Sequence, residues 1–457
     1  MPEIQLGTSS KKRQTQWMPV IRAVNMLVEQ SVTNRFNGID HIQRPGEVLF
    51  ANLGTDIIRG VFRQAGTFGG DFIVVSGDDL YRVDDVGSDT LVGSVPGSLR
   101  VSMAATASRV LIASDGIAYS STGASVTTVV MPDGRLVGSV AQLNGYFILP
   151  EEGSARFYWT EPGQTNPDGL SFATTESSPG DIVKVERVGD ELWFFKEEGI
   201  EVWVPTGDAD LPFQRVPGRN YDKGCRARDS VCRFDNSVAW VGNDGLVYRG
   251  DQAPVRFSDH SLEEQIRKSD VDSLRAWSFP VDGHSLWCLT ISDGTYAYDA
   301  STQQWSEFQT HERTGWRCHV GDMGETFVVA GSDTDGKLYR LDPQISNDAG
   351  LPMVRRITGG IGVVGQPQRI NALDLYAYTG TAQDPNLYPK VRISLSYDLQ
   401  TYDDWFDVSM GRQGNYGDPV RLNRLGVARY PGMLVQFQVT DDITWTVSGA
   451  SYNEPTR

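Results

Sequence analysis

Residues 191–204 read Glu191-Leu192-Trp193-Phe194-Phe195-Lys196-Glu197-Glu198-Gly199-Ile200-Glu201-Val202-Trp203-Val204. A continuous apolar run, Leu192 to Phe195, meets a Glu-Gly turn, and a second run carrying an aromatic follows it. A short apolar run bounded by turn residues is the pattern of a strand covered on both faces. A glycine after an acidic residue supplies the positive φ that a tight hairpin asks for.

The unit repeats. Its turn recurs at Asp78-Asp79, Asp115-Gly116, Glu152-Gly153, Glu198-Gly199, Asp244-Gly245, Asp293-Gly294 and Asp335-Gly336, in steps of 37, 37, 46, 46, 49 and 42 residues. Spacings of roughly 40 to 50 residues belong to four-stranded propeller blades. A second polar turn, such as Asn144-Gly145, Gly189-Asp190, Asp235-Asn236 or Asp282-Gly283, precedes most of the apolar runs. Each unit therefore reads as an antiparallel meander of three or four strands. One such sheet cannot cover both its faces, so the units must pack against each other in a ring.

The expected fold is all-β. A β-propeller-like repeat domain of six or seven blades spans 46–352, an N-terminal arm spans 1–45, and a C-terminal antiparallel β-sandwich spans 353–457. The sandwich strands are expected near Ile370–Tyr378, Val391–Tyr397, Met433–Thr440 and Ile443–Ser451, with a boundary in the sparse stretch Pro343 to Gly350. Leu262 to Lys268 is the one short helix the pattern predicts.

Charge is unevenly spread. The 457 residues carry a net charge of −17, yet residues 1–45 are at +3 and residues 354–457 at zero. The middle holds 25 basic against 45 acidic residues. Such a surface does not grip DNA by neutralising phosphates. It does let DNA slide past, because carboxylates repel the backbone. No apolar stretch of about 18 residues is present to span a membrane. The polar start, Gly7 to Gln14 with Lys11, Lys12 and Arg13, lacks the apolar region of a secretory signal. Cys225, Cys232, Cys288 and Cys318 form no Cys-x-x-Cys pair, which argues against zinc and for reduced thiols in or near sheet cores.

Chemistry-bearing motifs are sparse. His41, His260, His284, His311 and His319 sit in no metal or triad pattern and are expected at the surface or in turns. The run Gly359-Gly360-Ile361-Gly362 with Gly365 lacks the Lys-Ser/Thr of a phosphate-binding loop and reads as a flexible strand or loop. Trp159, Trp193, Trp203, Trp240, Trp287 and Trp305 fall at strand positions, where aromatics serve packing. Ser396-Tyr397-Asp398 followed by Trp405 is loosely similar to the Asp-box hairpin of sialidases, although it occurs once and with stretched spacing. The expectation is a non-enzyme with no catalytic, cofactor-binding or metal residue and no cofactor. The alternative is a carbohydrate-binding or sialidase-like propeller, which predicts clustered arginines or aromatics at the centre of the ring. A third reading is a generic propeller scaffold for protein partners.

Several stretches carry a family likeness. They are Val24-Asn25-Met26-Leu27, Arg59-Gly60-Val61, Arg100-Val101-Ser102-Met103-Ala104, Lys223-Gly224, Tyr298-Asp299-Ala300-Ser301 with Trp305, and Ser394-Leu395-Ser396. In this order the chain resembles the packaged-DNA stabilisation, or tail-hub (nozzle), proteins of short-tailed bacteriophages. The resemblance implies a homo-hexameric ring below the portal and adaptor, in the virion tail, assembled in the host cytoplasm. Such a ring retains the packaged genome and continues the channel through which double-stranded DNA passes without sequence-specific binding. It also carries a tail needle or plug and tail fibres or spikes. The chain departs from the family pattern around Thr206 to Asn220, where docking loops are expected to differ.

Overall fold

The apolar runs are the second strands of seven four-stranded antiparallel meanders in a computed structural model that describes residues 3–11, 20–31, 34, 36, 38–382, 386–417 and 419–453. Lys12 and Arg13 of the polar start lie outside the described residues. Blade 1 is Ile58–Phe62, Phe72–Ser76, Asp79–Val83 and Asp89–Ser94. Blade 2 is Ser102–Ala105, Val110–Ser114, Ile117–Ser121 and Val126–Thr128; blade 3 is Ala141–Leu143, Tyr146–Pro150, Arg156–Trp159 and Phe172–Thr174. Blade 4 is Ile182–Val188, Glu191–Lys196, Ile200–Pro205 and Phe213–Tyr221; blade 5 is Cys232–Phe234, Ser237–Val241, Val247–Arg249 and Val255–Arg256. Blade 6 is Arg275–Val281, His284–Ile291, Gly294–Asp299 and Gln304–Phe308. Blade 7 is Cys318–Met323, Val328–Ser332 and Lys337–Asp342, and Gly46–Asn52 from the far end of the chain supplies its outer strand, with Glu47 opposite Leu341.

The inner strands of successive blades adjoin, and that of blade 7 adjoins that of blade 1, closing the ring. A separate apolar core fills each of the seven gaps between blades. The second strands show why their runs are continuous: Ile73 and Val75 pack toward Val110 and Ile112 of blade 2, while Phe72 and Val74 face Val320 and Val329 of blade 7. In the same way Trp193 and Phe195 meet Val238 and Trp240, while Leu192 and Phe194 meet Phe157 and Trp159. All six singled-out tryptophans are buried in these gaps. Burying one large aromatic is worth roughly 3 kcal/mol, so ring closure follows from side chains that no single blade can cover.

The turns follow the sequence in part. Asp115 (φ 45°) and Gly116 (φ 85°) form the left-handed pair of a two-residue hairpin joining Ser114 to Ile117. At Gly199 and Gly336 the φ is ordinary, and glycine instead makes room: a Cβ would lie 2.6 Å from Ser178 Oγ and 2.8 Å from Gly54 N, respectively. The short helix runs His260–Lys268, capped by the Asp259 carboxylate accepting from Leu262 N at 2.8 Å.

Six of the propeller sheets stand apart. The seventh, blade 6, is one end of a large curled sheet. Its outer strand pairs in parallel with Ala23–Val24, which pairs antiparallel with Arg355–Gly362. Gly432–Val439, Lys390–Ser396 and Phe406–Ser409 continue this sheet. Val420–Ala428, Gln368–Ala377 and Thr446–Tyr452 form the facing layer, extended by Ile39–Gln43 and Met26–Gln30. Glu3–Leu6 pairs with both layers. Ile357, Ile393, Val435 and Phe437 of one layer pack against Leu373, Leu375, Trp445 and Val447 of the other. The described residues of 1–45 thus contribute four strands to the sandwich sheets, and one of them, Ala23–Val24, ties the sandwich to blade 6. The glycine run expected to be a flexible strand or loop is a fixed strand of the sandwich. A Cβ at Gly359 would lie 2.8 Å from Ile4 Cγ2, so the close approach of the arm accounts for the missing side chain.

Candidate functional site

The inner strands, with the residues that lead into and out of them, form one charged lining of the ring axis. A cavity of about 320 Å³ runs along the axis, bordered by every blade. Its charged groups are Arg63, Arg100, Lys184, Arg187, Arg228 and Arg233 against Glu186, Asp229 and Asp322. The core of this acidic propeller is therefore lined by an excess of cations.

The channel has no free bore. Arg100, entering blade 2, donates across the axis to the Ala276 carbonyl of blade 6 at 2.7 Å and to the Asp229 carbonyl before blade 5 at 3.2 Å. Arg228 donates back to the Arg100 carbonyl at 3.0 Å and to the Gly138 carbonyl at 3.2 Å. Lys184 reaches the Val231 carbonyl at 2.7 Å. Charge-assisted bonds of this kind are among the stronger ones, and they lock opposite walls together. A DNA duplex, whose major groove alone is about 12 Å wide, does not thread this channel. Asp322, half-buried in the wall, accepts from Arg63 N and Met323 N, and burial still pushes its carboxyl up to about 6.

A second polar cluster sits where the arm, blade 7 and the sandwich meet. Arg44, wholly buried, donates to both carboxylate oxygens of Asp348 at 2.9 Å, to Asn25 Oδ1 at 2.9 Å and to the Pro45 carbonyl at 2.8 Å. Glu47 accepts from Trp316 Nε1 and Arg317 Nε, both at 2.6 Å. Asn25, held at φ 53°, donates to the Gln309 and Val354 carbonyls. Arg355 donates to Gln43 Oε1 at 2.7 Å and to the carbonyls of Asp441 and Ile443. Burial raises Asp348 to about 6, with Arg44 pulling it down and Glu47 pushing it up.

The family-like stretches occupy these joints. Arg59, buried, staples blade 1 to blade 2 through the carbonyls of Leu99, Gly77 and Val95 at 2.7, 2.9 and 2.9 Å and Ser114 Oγ at 2.5 Å. Gly224 leaves no space: a Cβ there would lie 1.8 Å from the Glu197 carbonyl oxygen. Asp299 and Ser301 surround His284, with Asp299 Oδ2 at 2.8 Å and Ser301 Oγ at 3.3 Å from the same ring nitrogen, Nδ1. Nε2 faces Glu29 of the arm at 2.9 Å. Ser301 Oγ donates to Asp299 Oδ1 at 2.6 Å, and the imidazole is held between two carboxylates, Asp299 and Glu29, so the set is an ion-pair clamp.

Three histidines expected at the surface or in turns are instead buried: His41, His284 and His319. His284 is matched to carboxylates; His41 and His319 sit on carbonyls, His319 Nε2 being 2.8 Å from the Ile58 carbonyl. Burial lowers His319 to about 4. Cys225, Cys288 and Cys318 are buried and Cys232 half-buried, all free; burial pushes the Cys225 thiol up to about 12 and Cys232 to about 11. Asp398 of the Asp-box-like stretch is pulled below the usual carboxylate range by Thr401 Oγ1 and by the N–H groups of Gln400 and Thr401. It caps its own turn. Arginines do cluster at the ring centre, as the carbohydrate alternative predicts, but Arg100 and Arg228 are spent on carbonyls, and among the described residues no tyrosine lines the cavity. Among the described residues no group of three His, Cys, Asp or Glu is placed to hold a metal, and no helix is long and apolar enough to cross a membrane.

The cross-axis role of Arg100 and Arg228 and the Arg44 cluster were not foreseen. The sequence signal available was an arginine just ahead of an inner strand, at Arg100 and Arg228, but nothing local shows that its carbonyl partners lie 90 or more residues away.

The remaining charge lies in the loops. Alternation of strand direction puts all seven second-to-third-strand turns on one face of the ring, each with at least one carboxylate: Asp78, Asp115, Glu152, Glu198, Asp244, Asp293 and Asp335. Loops of the opposite face carry Asp84, Asp85, Asp190, Asp208, Asp210, Asp251, Asp282 and Glu325.

Among solved structures the chain is similar to the computationally designed Ika8 protein, at 11% identity and a TM-score of 0.41, covering 65% of this chain and 99% of that one. It is similar to YCF48 from Cyanidioschyzon merolae at 14% identity and a TM-score of 0.42, with the same coverage of 65% and 99%. The β-propeller domain of Myceliophteria thermophila Cps50 (Swd1) gives 10% identity, a TM-score of 0.43 and coverage of 65% and 99%. A comparison with curated proteins finds no match. Residues 7–346, which include every blade and most of the arm, match the family model described as the bacteriophage P22 Gp10 β-propeller, and the chain belongs to this phage stabilisation family.

Proposed function

We propose that this protein is a tail-hub, or nozzle, subunit of a short-tailed phage. Six copies would form a ring below the portal and adaptor, hold the packaged genome, and seat a needle or plug and the fibres or spikes. The observation that carries the reading is the pairing of family membership with a closed propeller axis. A propeller locked across its centre serves as a wall element, so the conduit for DNA is the lumen between copies. Acidic loops on both propeller faces support a wall that DNA does not adhere to, since like charges at the surface repel the backbone. The coarser statement, a structural protein of the phage virion, follows from the family alone.

Imaging particles assembled without this protein tests the proposal. The expected result is loss of packaged DNA and failure of the tail to assemble. Particles that stay full and tailed would overturn it. A reconstruction of the assembled ring tests the sliding surface separately: a lumen lined by Lys and Arg would sink that part.

A further inference from the structure

Two exposed patches of complementary chemistry lie on opposite sides of the molecule. On the outer rim of blades 2 and 3, Val130, Leu136 and Leu170 are 68%, 52% and 87% exposed. They form one surface. Val130 N bonds to Asn166 Oδ1 in the loop that carries Leu170, and the Leu136 carbonyl accepts from Glu152 N. Exposed Asp133, Glu152 and Asp168 flank them.

The other patch is on the sandwich. Val364, Val427 and Tyr430 are 95%, 44% and 76% exposed. Arg369 lies opposite Val427 in the strand register, and Arg424 and Arg429 stand on either side of it in sequence. These three arginines are exposed and form no ion pair among the described residues. The strand that bears this patch, Val420–Ala428, is a nine-residue edge whose free side pairs with no described strand. Long open edges are normally covered, and a solvent-exposed apolar surface of this kind marks an interface.

The geometry points to a head-to-tail contact between copies of this chain, the arginine-rimmed sandwich edge of one seated on the carboxylate-rimmed rim of blades 2 and 3 of the next. A ring built by rotation needs two different surfaces on each copy, placed apart. In a ring of seven blades, blades 2 and 3 are three steps from blade 6 in either direction, and blade 6 is where the sandwich is attached. Apolar centre meets apolar centre, and cations with no ion pair among the described residues meet exposed carboxylates, of which Asp133 also faces Arg135 at 3.8 Å. The partner is a second copy of this chain, and the inference rests on the ring reading proposed above.

Charge swapping tests it. One variant carries Arg369→Glu and Arg424→Glu; a second carries Glu152→Arg and Asp168→Arg. All four positions are exposed, so circular dichroism melts should match the unaltered protein. Ring formation is read by native mass spectrometry and sedimentation. Each variant alone should associate about tenfold or more weakly, because two attractions become repulsions. A one-to-one mixture should recover rings of alternating copies, since each swapped surface then faces its match. Variants that assemble singly as well as the unaltered chain, or a mixture that does not recover, would overturn the surface while leaving the hub reading intact. An unaltered protein that is not a ring in the particle overturns the hub reading, and the contact with it.

Discussion

Replacing Arg44 by methionine should convert the arm junction into a pH-sensitive weak point. Arg44 stands between Asp348, at 2.9 Å, and Glu47, at 3.8 Å, with no solvent access to any of the three. Removing one partner of a buried ion pair costs about 3 to 5 kcal/mol, because the remaining charge is stranded. That cost should apply at pH 8. At low pH Asp348 escapes it by taking a proton. Its carboxyl is already raised by burial to about 6 in the intact protein, above the unfolded value of about 3.9. The folded state therefore holds a proton that the unfolded chain releases, and stability falls as pH rises from about 4 to 6, by about 3 kcal/mol in the limit. Without Arg44 the carboxyl rises further and the falling window extends toward neutral pH. At pH 5 the variant should lose only its neutral hydrogen-bond contribution, about 1 to 2 kcal/mol.

Hydrogen exchange with mass spectrometry resolves this locally, in peptides covering 23–30, 44–52 and 310–318, where a single global transition is not required. Adding Asp348→Asn to the Arg44→Met chain should recover half or more of the loss at pH 8. A loss under about 1 kcal/mol at pH 8, or an equal loss at pH 5 and pH 8, would refute the claim that this network carries the junction.

Further outcomes follow from the same contacts. Arg59→Met takes the shared donor from the Leu99, Gly77 and Val95 carbonyls, the last of them buried, and should cost about 1 to 3 kcal/mol, seen as faster exchange in residues 58–62 and 95–101 and nowhere in the sandwich. His284 is raised by its hydrogen bond to Asp299, then by the charges of Asp299 and Glu29; its contribution is complete below about pH 6.5 and is lost as pH rises through the raised folded value. Limited proteolysis within 20–45 should therefore be faster at pH 9 than at pH 6, and His284→Gln should remove that difference. Gly224→Ala forces a Cβ against the Glu197 carbonyl and should destabilise by about 2 kcal/mol or more; an unchanged melting temperature would show that the backbone yields there. The four thiols should resist a disulfide-exchange reagent until the protein unfolds, because burial holds each above its ordinary value.

What the sequence made legible was local. A hairpin is decided by two turn residues and two apolar runs, so all seven repeat turns fell between second and third strands as their spacing implied. The reason offered for the glycines held at Asp115-Gly116 and not at Gly199 or Gly336, because close approach of a distant backbone leaves no mark at short range. The buried histidines were misread for a related reason: His319 is adjacent in sequence to Cys318 but is satisfied by Ile58, 261 residues earlier. The repeat spacing admits six or seven blades because the outer strand of blade 7 comes from Gly46–Asn52, far from its sheet in the chain. The charge total was readable, but its division between a cationic axis and acidic loops was not, since that division depends on which strand of each repeat faces inward.

The continuity of blade 6 with the sandwich bears on how a ring could be specified. Domains joined by a linker are expected to move. Here Ala23–Val24 hydrogen-bonds to blade 6 on one side and to the sandwich on the other, and the Arg44 and Arg355 clusters fill the space beside it. A sheet that runs from one unit into the next fixes the angle between them, since rotation would break its ladder and expose buried charge. The rim of blades 2 and 3 and the sandwich edge then keep a constant mutual orientation. That angle sets how many copies close a head-to-tail ring, because each copy repeats the same rotation. Loosening the junction should thus spread the number of copies per ring before it unfolds the blades. The Arg44→Met protein offers the measurement: native mass spectrometry at pH 8 should give a broader distribution of ring sizes than at pH 5. A single ring size at both would mean that the junction stabilises the fold without setting its assembly.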